Sequence, residues 1–390
     1  MTETLIHETW GDHQALIARS HAANGGSVGR VTLQNVVVAD EGRPLQLEYG
    51  AIMKHVNVAY ECYGRLSPKA DNAILLCHAL TGSPHAAGYY ENEKIPGWWD
   101  PLIGPGKAID TNKYFVVCSN IFGGCYGTTG PNSARPDTGE TYCLSFPRYT
   151  IRDMVQVQHR LMQHLGVERW HAAIGGSMGG MQVLEWAAMY PEAVNAIISI
   201  GMGTRHSAWA IGLNEVARKA IASDPKWRDG FYGKEQPEVG LGLARAIAML
   251  SYRSLDSLEA KFGRERVKQT TDLLDKSFAI ESYLDYQGVK LVKRFDANTY
   301  IYITRAMDDY DLSEGRGRLS QVLKTMDMPI LCIGISSDML YFDAEVKELA
   351  ERLPNAEYLS LSSPHGHDAF LIEFPQLAVR LRRFLTKLST

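Results

Sequence analysis

The residues best suited to covalent chemistry lie at positions 175–180, where Ser177 stands in the pattern Gly-x-Ser-x-Gly. An apolar, strand-like run precedes this segment and a helical stretch follows it. In a strand-turn-helix of this kind the serine occupies a sharp turn, and the flanking glycines avoid clashes with neighbouring backbone. The start of the helix directs free N–H groups towards an oxyanion formed at the serine. The pattern predicts that Ser177 is a nucleophile.

A serine hydroxyl needs a general base, and after such a turn an acid and then a histidine follow along the chain, each after a later strand. Asp338 directly follows the strand-like run 330–335. His365 and His367 both follow the last strand-like run. The residues alone therefore predict Asp338 as the acid and leave the choice between the two histidines open.

Three other aspartates, Asp308, Asp309 and Asp311, are alternatives for the acid. They precede the strand that should present the acid, so we expect them to form a solvated or hinge-side cluster. The two late histidines are a poor metal site, because no carboxylate or cysteine spacing near them completes a coordination set. No metal is expected.

An acyl-transfer site also needs donors for the oxyanion. The N–H of the residue after the nucleophile, Met178, is one expected donor, and a loop after an earlier strand supplies the other. That loop is 77–82, with Leu80 as the expected donor. His78 and His85 lie near it, and we expect them to hold the loop by hydrogen bonds.

The elements that would position these residues alternate between strands and helices, which predicts a mostly parallel sheet with helices on both faces. Two leading segments, 31–38 and 52–60, fit half-buried antiparallel strands. A helix with apolar residues from Met154 to Leu165 should end at Gly166, and an amphipathic helix covers about 377–388. The buried-strand runs are 73–80, 114–119, 170–174 and 193–200, and strand-type runs resume at 329–335 and 356–362.

The stretch 204–324 contains polar-rich helical segments, such as 214–222 and 240–250, and no buried-strand run. It is predicted to be a helical lid inserted into a core made of residues 1–203 and 325–390.

Composition limits the function classes. The chain has 390 residues, 45% of them hydrophobic, and a formal charge of −4, which gives no electrostatic reason to expect nucleic acid or an anionic membrane as a partner. Six cysteines without a Cys-x-x-Cys pair predict buried thiols and not a disulfide frame or a zinc site. Residues 1–8 lack the apolar run of a signal peptide, so a cytoplasmic location is expected.

A set of motifs through nearly the whole chain resembles one family, the homoserine O-acyltransferases of the α/β-hydrolase fold. The resemblance implies that fold, with a mostly parallel sheet and the inserted helical lid. The matching segments are 77–82, 97–100, 104–107, 120–125, 127–131, 175–182, 294–298 and 366–370.

The resemblance assigns roles by matched position. Ser177 resembles the nucleophile, Asp338 the acid and His367 the base, which decides against His365. Arg245 matches an arginine that binds the carboxylate of homoserine, and Asp368 a residue that meets its ammonium group. The family usually has an aromatic residue and then a proline soon after the acid, whereas this chain has Met-Leu-Tyr-Phe at 339–342.

The activity that the resemblance implies is transfer of an acyl group from acyl-CoA to the hydroxyl of L-homoserine through an acyl-serine, at the start of methionine biosynthesis. Acetyl-CoA is the expected co-substrate, with succinyl-CoA as the alternative donor and serine as an alternative acceptor. No permanently bound cofactor is expected. A serine esterase on the same triad and a non-catalytic binding protein are further alternatives. The family also implies a homodimer joined through the lid helices.

Overall fold

The computed structural model describes residues 26–388 of the chain. The expectation about a signal peptide concerns residues 1–8, which lie outside this range. Among the described residues, no helix combines the length and apolar character needed to cross a membrane.

Residues 26–388 contain twelve strands, numbered here in chain order. They are β1 Gln34–Ala39, β2 Leu45–Gln46, β3 Ile52–Met53, β4 Val56–Tyr63, β5 Ala73–Cys77, β6 Ile103–Gly104, β7 Ile109–Asp110, β8 Phe115–Ser119, β9 Ala172–Gly176, β10 Ile197–Ile200, β11 Ile330–Ile335 and β12 Ala356–Leu361.

The same range contains ten α-helices. They are α1 Ile151–His164, α2 Met178–Met189, α3 Ala208–Ala222, α4 Glu238–Tyr252, α5 Leu255–Phe262, α6 Ala279–Val292, α7 Ala297–Asp308, α8 Leu319–Thr325, α9 Asp343–Arg352 and α10 Phe374–Leu388.

Eight strands form one sheet in the order β1-β4-β8-β5-β9-β10-β11-β12, in which β4 pairs antiparallel with both neighbours and the strands from β8 onwards pair in parallel. The mostly parallel sheet is thus confirmed, and each of the six predicted strand runs overlaps one of its strands. The leading antiparallel pair also forms, as β1 with β4. However, β4 is almost wholly buried, because β1 and β8 cover both of its edges.

Two apolar layers cover the sheet, one on each face. Along β5 the side chains alternate, so that Leu75 faces one layer and Leu76 the other. Helices α1, α2 and α9 contribute to the first layer, and α10 contributes to the second. Burial on both faces explains why the central strands are continuous apolar runs in the sequence.

The predicted end of α1 at Gly166 is also seen, and the start of the helix is capped. Thr150 caps α1 through a reciprocal pair of hydrogen bonds with Asp153, and Gly166 follows the helix with a φ of +68°. All six cysteines are unpaired, and Cys77, Cys118 and Cys332 are buried.

Between β10 and β11 the described chain forms the six helices α3 to α8 and no strand of the sheet. Helix α4 packs between α3 and α6. The approach of α4 to α6 is close, since a Cβ added at Gly288 would lie 2.9 Å from the carbonyl oxygen of Gly242. Helical residues such as Leu241 and Leu291 join the same apolar layer as α1 and α2.

Candidate active site

Ser177 stands at the turn between β9 and α2 with φ +59° and ψ −126°, a strained backbone for a residue with a side chain. The neighbouring glycines make this turn possible. A Cβ at Gly175 would lie 2.2 Å from the carbonyl oxygen of Gly179, and a Cβ at Gly179 would lie 2.0 Å from that of Cys77. The turn therefore has the geometry expected of a serine nucleophile in a strand-turn-helix.

Asp338 and His367 form a buried pair. Asp338 lies just after β11, and one of its oxygens, Oδ1, accepts hydrogen bonds from the N–H groups of Leu340 and Tyr341 at 2.8 and 3.0 Å. The other oxygen, Oδ2, lies 2.6 Å from Nδ1 of His367. Asp338 thereby fixes the orientation of the imidazole and leaves Nε2 as the nitrogen that can take a proton.

The electrostatics of His367 suit a general base. Burial alone would lower the pKa of His367, but the charge of Asp338 and its hydrogen bond outweigh burial, so the pKa is raised above its ordinary value. Nε2 is buried and has no hydrogen-bond partner among the residues that the structure describes. This nitrogen can therefore accept a proton from a hydroxyl group that approaches it.

His367 lies beside the cavity into which Ser177 faces. The rings of Tyr252 and Tyr341 line that cavity with Ser177, and their centroids lie 6.0 and 5.1 Å from the His367 ring. Phe370 also contacts His367, at 5.6 Å, and would lie 2.7 Å from a Cβ added at Gly176. The structure thus brings all three predicted triad positions to one place.

The alternative histidine is placed differently. Nδ1 of His365 lies 3.4 Å from the guanidinium of Arg253. Burial and Arg253 both lower the pKa of His365. Asp338 is paired with His367 and not with His365.

The alternative acids are also engaged elsewhere. Asp308 forms an ion pair with Arg218 at 2.7 Å, and Asp309 pairs with Arg148 at 2.8 Å. Asp311 accepts hydrogen bonds from the backbone and hydroxyl of Ser313. The expectation of a solvated cluster is wrong for Asp308, whose side chain is only 10% exposed because α3 covers it and supplies Arg218.

Helix α2, which begins at Met178, packs against β5, the strand that precedes the loop 77–82 with Leu80. Leu80 and Met178 are both buried, and no hydrogen bond recorded for residues 26–388 uses either N–H group. His78 holds the loop, as expected. Its Nδ1 donates to the carbonyl of Ala79 at 2.8 Å, while Nε2 accepts from the N–H of Ile121 at 3.3 Å. Burial lowers the pKa of His78 to about 4, so the ring is neutral.

Arg294 is a site residue that sequence reasoning did not single out. Its Nη1 donates to the carbonyl oxygen of Thr81 at 2.7 Å and to the hydroxyl of Tyr126 at 2.6 Å. Thr81 follows Leu80, so Arg294 fixes the loop that carries a predicted oxyanion donor. The sequence feature that could have identified Arg294 was its position in the motif 294–298. The motif alone does not predict which loop the arginine contacts.

A narrow cavity opens at Ser177, with about 20 Å³ accessible to the centre of a water molecule. Helices α3, α4 and α7 and the loop after β11 form its wall. A space of this size holds about one water molecule. Its lining includes no Lys or Arg, and burial lowers the pKa of His206, which lines it, to about 4. The cavity therefore contains no positively charged group near neutral pH.

The loop after the acid differs from the usual family pattern, and its shape is visible here. Tyr341 is buried and its hydroxyl lies 3.1 Å from Nδ1 of His206. The carbonyl of Met339 accepts a hydrogen bond from the indole of Trp209 at 3.0 Å. These contacts join the loop that carries Asp338 to α3.

Arg245 and Asp368 lie close to the triad. Burial raises the pKa of Asp368, and Arg245 and Arg253 partly offset this effect. The guanidinium of Arg245 lies over the ring of Tyr252, 5.6 Å from its centroid, and Tyr252 in turn contacts His367. A guanidinium and a carboxylate beside the base can bind the two charged ends of an amino acid.

No group of three or more His, Cys, Asp or Glu side chains within residues 26–388 is arranged to hold a metal ion.

His85 is the other histidine near the loop 77–82. Its Nδ1 lies 3.2 Å from a carboxylate oxygen of Glu61, and its ring stacks on that of Tyr90.

Comparison with known proteins identifies the family. The family described as "alpha/beta hydrolase fold" matches residues 72–374. A homoserine O-acetyltransferase of Carboxydothermus hydrogenoformans is 52% identical over 369 residues, covering 92% of this chain and 96% of the relative. The crystal structure of a homoserine O-acetyltransferase from Bacillus anthracis superimposes with a TM-score of 0.86 at 30% identity, covering 91% and 97% of the two chains. A solved esterase superimposes with a TM-score of 0.83 at 31% identity, covering 91% of this chain and 100% of the esterase. The chain belongs to the α/β hydrolase fold family and, within it, to the homoserine O-acetyltransferases.

Proposed function

We propose that this chain transfers the acetyl group of acetyl-CoA to the hydroxyl of L-homoserine through an acetyl-Ser177 intermediate, the first committed step of methionine biosynthesis. The observation that carries the proposal is the 2.6 Å pair of Asp338 and His367 beside the cavity of Ser177, in a chain of this family.

The first step acylates the enzyme. Nε2 of His367 takes the proton of the Ser177 hydroxyl while Oγ attacks the thioester carbon. The N–H groups of Leu80 and Met178 hold the negative charge on the carbonyl oxygen. The carbon–sulfur bond then breaks, and the coenzyme A sulfur leaves with the proton carried by His367.

The second step transfers the acetyl group. The homoserine hydroxyl gives its proton to Nε2 of His367, and its oxygen attacks the carbonyl of acetyl-Ser177. The bond to Oγ breaks, and His367 returns the proton to Ser177. An oriented homoserine reacts faster than water because binding gives its hydroxyl a high effective concentration.

Arg245 and Asp368 bind homoserine in this proposal. Arg245 offers two parallel N–H donors to the carboxylate, and Asp368 accepts hydrogen bonds from the ammonium group.

Replacing Arg245 by leucine is expected to raise the KM for homoserine about 100-fold, because a charge-assisted pair of hydrogen bonds is lost. The rate of coenzyme A release in the absence of homoserine should not change, since that step does not involve the acceptor. Steady-state kinetics and a rapid-quench measurement of the first turnover separate the two effects. Arg380→Leu, an exposed arginine on α10, serves as the matched control. An unchanged KM in Arg245→Leu would remove this residue from the acceptor site.

The cavity at Ser177 supports acetyl-CoA over succinyl-CoA as the donor. A succinyl group would bring a second carboxylate beside Ser177, and the lining of this cavity includes no Lys or Arg. An unpaired charge in such a site is unfavourable. An acetyl methyl group needs only an apolar wall, which residues such as Leu213 and Leu340 supply.

The proposal is tested by measuring coenzyme A release with a thiol reagent, from acetyl-CoA and from succinyl-CoA, with no acceptor, with homoserine and with serine. The expected result is rapid release only from acetyl-CoA with homoserine. If the chain prefers succinyl-CoA or serine, the proposed donor or acceptor is wrong and the two-step mechanism through acyl-Ser177 still holds. Coenzyme A release at the same rate with and without an acceptor would indicate a hydrolase.

A serine esterase is the second candidate, because a solved esterase shares the fold at 31% identity. The two functions differ in the product. A transferase makes O-acetylhomoserine in proportion to the coenzyme A released, whereas an esterase makes free acetate, and mass spectrometry of the products distinguishes them.

The helices α3 to α8 are proposed to act as a lid, with the core formed by residues 1–203 and 325–390. They supply most of the cavity wall at Ser177. A cytoplasmic location is also proposed.

A homodimer joined through these helices is proposed as well. In support of the dimer, α4 exposes Val239, Leu243 and Leu250 on one face, with exposed fractions of 71%, 54% and 52%. A row of this kind is typical of a protein interface.

The double variant Leu243→Glu/Leu250→Glu is expected to convert a dimer into a monomer, because four like charges would meet across the symmetric contact. Analytical ultracentrifugation measures the change in mass. Val379→Glu, an equally exposed apolar position on α10, should leave the mass unchanged. A wild-type chain that is monomeric at all concentrations would contradict the dimer.

A further inference from the structure

A surface cleft is lined in part by Arg294, the arginine that holds the loop 77–82. The cleft has about 330 Å³ open to water, within the range of small-molecule sites. Its lining includes the three cations Lys234, Lys293 and Arg294. The residues come from the end of α6, from the segment that joins α6 to α7, from the loop before α4 and from the segment after β8.

The charges of this cleft are unbalanced. None of the three cations has an ion-pair partner among residues 26–388, and Glu235, the acid next to Lys234, pairs with Arg228 at 3.3 Å. Asp296 is the acid that lines the cleft. Both of its oxygens are already used, one by the hydroxyl of Tyr232 and the other by the N–H of Thr299 at 2.7 Å. The cleft thus offers a surplus of positive charge to a solute.

The cleft is directly connected to the reaction site through Arg294. Arg294 lines the cleft, and its guanidinium donates to the carbonyl oxygen of Thr81, next to the predicted oxyanion donor Leu80. A ligand that reaches from the cleft to Ser177 would therefore pass Arg294.

Lys290 is a further cation near Arg294. Lys290, on α6, has its pKa lowered to about 7 by burial and by the charges of Arg294 and Arg245. The like charges of these three side chains repel one another. A bound polyanion would relieve that repulsion.

We propose that the cleft lined by Lys234, Lys293 and Arg294 binds the phosphorylated adenosine diphosphate part of the acyl-CoA donor. The proposal rests on the proposed function, because acetyl-CoA is the substrate that carries such a polyanion. The 3′-phosphate and diphosphate supply charges that lysine and arginine bind well. The pantetheine arm then extends past Arg294 and carries the thioester to Ser177.

The test compares acetyl-CoA with S-acetylpantetheine, which has the same thioester and no nucleotide. Lys234→Ala and Lys293→Ala are each expected to raise the KM for acetyl-CoA about tenfold with kcat unchanged, as for loss of one charge-assisted contact. Neither variant should change the kinetics with S-acetylpantetheine. Lys347→Ala, an exposed lysine on α9, is the matched control.

Equal effects on both donors, or no effect on either, would overturn the proposal. Calorimetric binding of adenosine 3′,5′-bisphosphate separates this result from a failure of the proposed function. If the wild-type chain binds this nucleotide and the double variant Lys234→Ala/Lys293→Ala does not, the cleft is a nucleotide site even when homoserine accepts no acetyl group. If the wild-type chain transfers acetyl to homoserine and does not bind the nucleotide, the function stands and the cleft assignment is wrong.

Discussion

Ser177→Ala is expected to lower homoserine-dependent release of coenzyme A by at least about 10⁴-fold, because no other group can form the acyl intermediate. Intact-protein mass spectrometry after mixing with acetyl-CoA alone should detect an acetylated wild-type chain and an unmodified variant. Alanine retains the Cβ of serine, so the strained backbone at φ +59° is no worse in the variant. The variant should therefore unfold at nearly the same temperature as the wild-type chain.

Ser362→Ala, at an exposed serine just after β12, is the control for the loss of a hydroxyl group away from the triad. It should retain full activity and become acetylated at Ser177. If Ser177→Ala still releases coenzyme A in response to homoserine, the acetyl group passes directly from donor to acceptor and the two-step mechanism is wrong.

The sequence predicted the fold well because this sheet is parallel and buried on both faces. A strand such as 330–335 is buried on both faces, so all of its residues are apolar. Such a continuous apolar run differs from the periodic pattern of the helices and is easy to recognise. The course of β4 was harder to predict. Its alternating pattern indicated one exposed face, yet β1 and β8 flank it and apolar layers cover it, and both depend on distant parts of the chain.

The positions proposed for the triad follow from a different feature of the sequence. Each member follows a strand in a fixed order, so local sequence places Ser177, Asp338 and the pair His365 and His367 at the same edge of the sheet. The local pattern does not separate the two histidines, since they differ by two residues in the chain, and it was the family resemblance that favoured His367. Their environments are opposite: His367 meets a carboxylate and His365 meets the guanidinium of Arg253.

Residues of the helical insertion were the least predictable. Arg245 looks like an ordinary charge on a helix, and only the resemblance to a family gave it a role. Asp308 and Arg218 pair between α7 and α3, two helices almost a hundred residues apart. No local pattern reports such a contact, because either residue alone is typical of a solvated helix face.

Asp338→Asn is expected to lower kcat by about 10⁴-fold, because an amide cannot hold His367 in the tautomer that leaves Nε2 free to accept a proton. The pH profile should change as well. In the wild-type chain, activity requires neutral His367, so kcat/KM falls as the pH drops below the raised pKa of this residue. The variant loses the carboxylate that raises this pKa, while burial, which lowers it, remains. The acidic limb of the profile should therefore move to lower pH.

Asp309→Asn is the matched control, since Asp309 was an alternative acid in the sequence and pairs with Arg148 on the surface. Its activity and pH profile should equal those of the wild-type chain. A loss of activity in Asp309→Asn comparable to that in Asp338→Asn would reopen the assignment of the acid. An acidic limb that stays in place in Asp338→Asn would mean that a group other than His367 controls the pH dependence. Asp338 Oδ2 lies 2.6 Å from Nδ1 of His367, so removing this negative charge must change the pKa of His367.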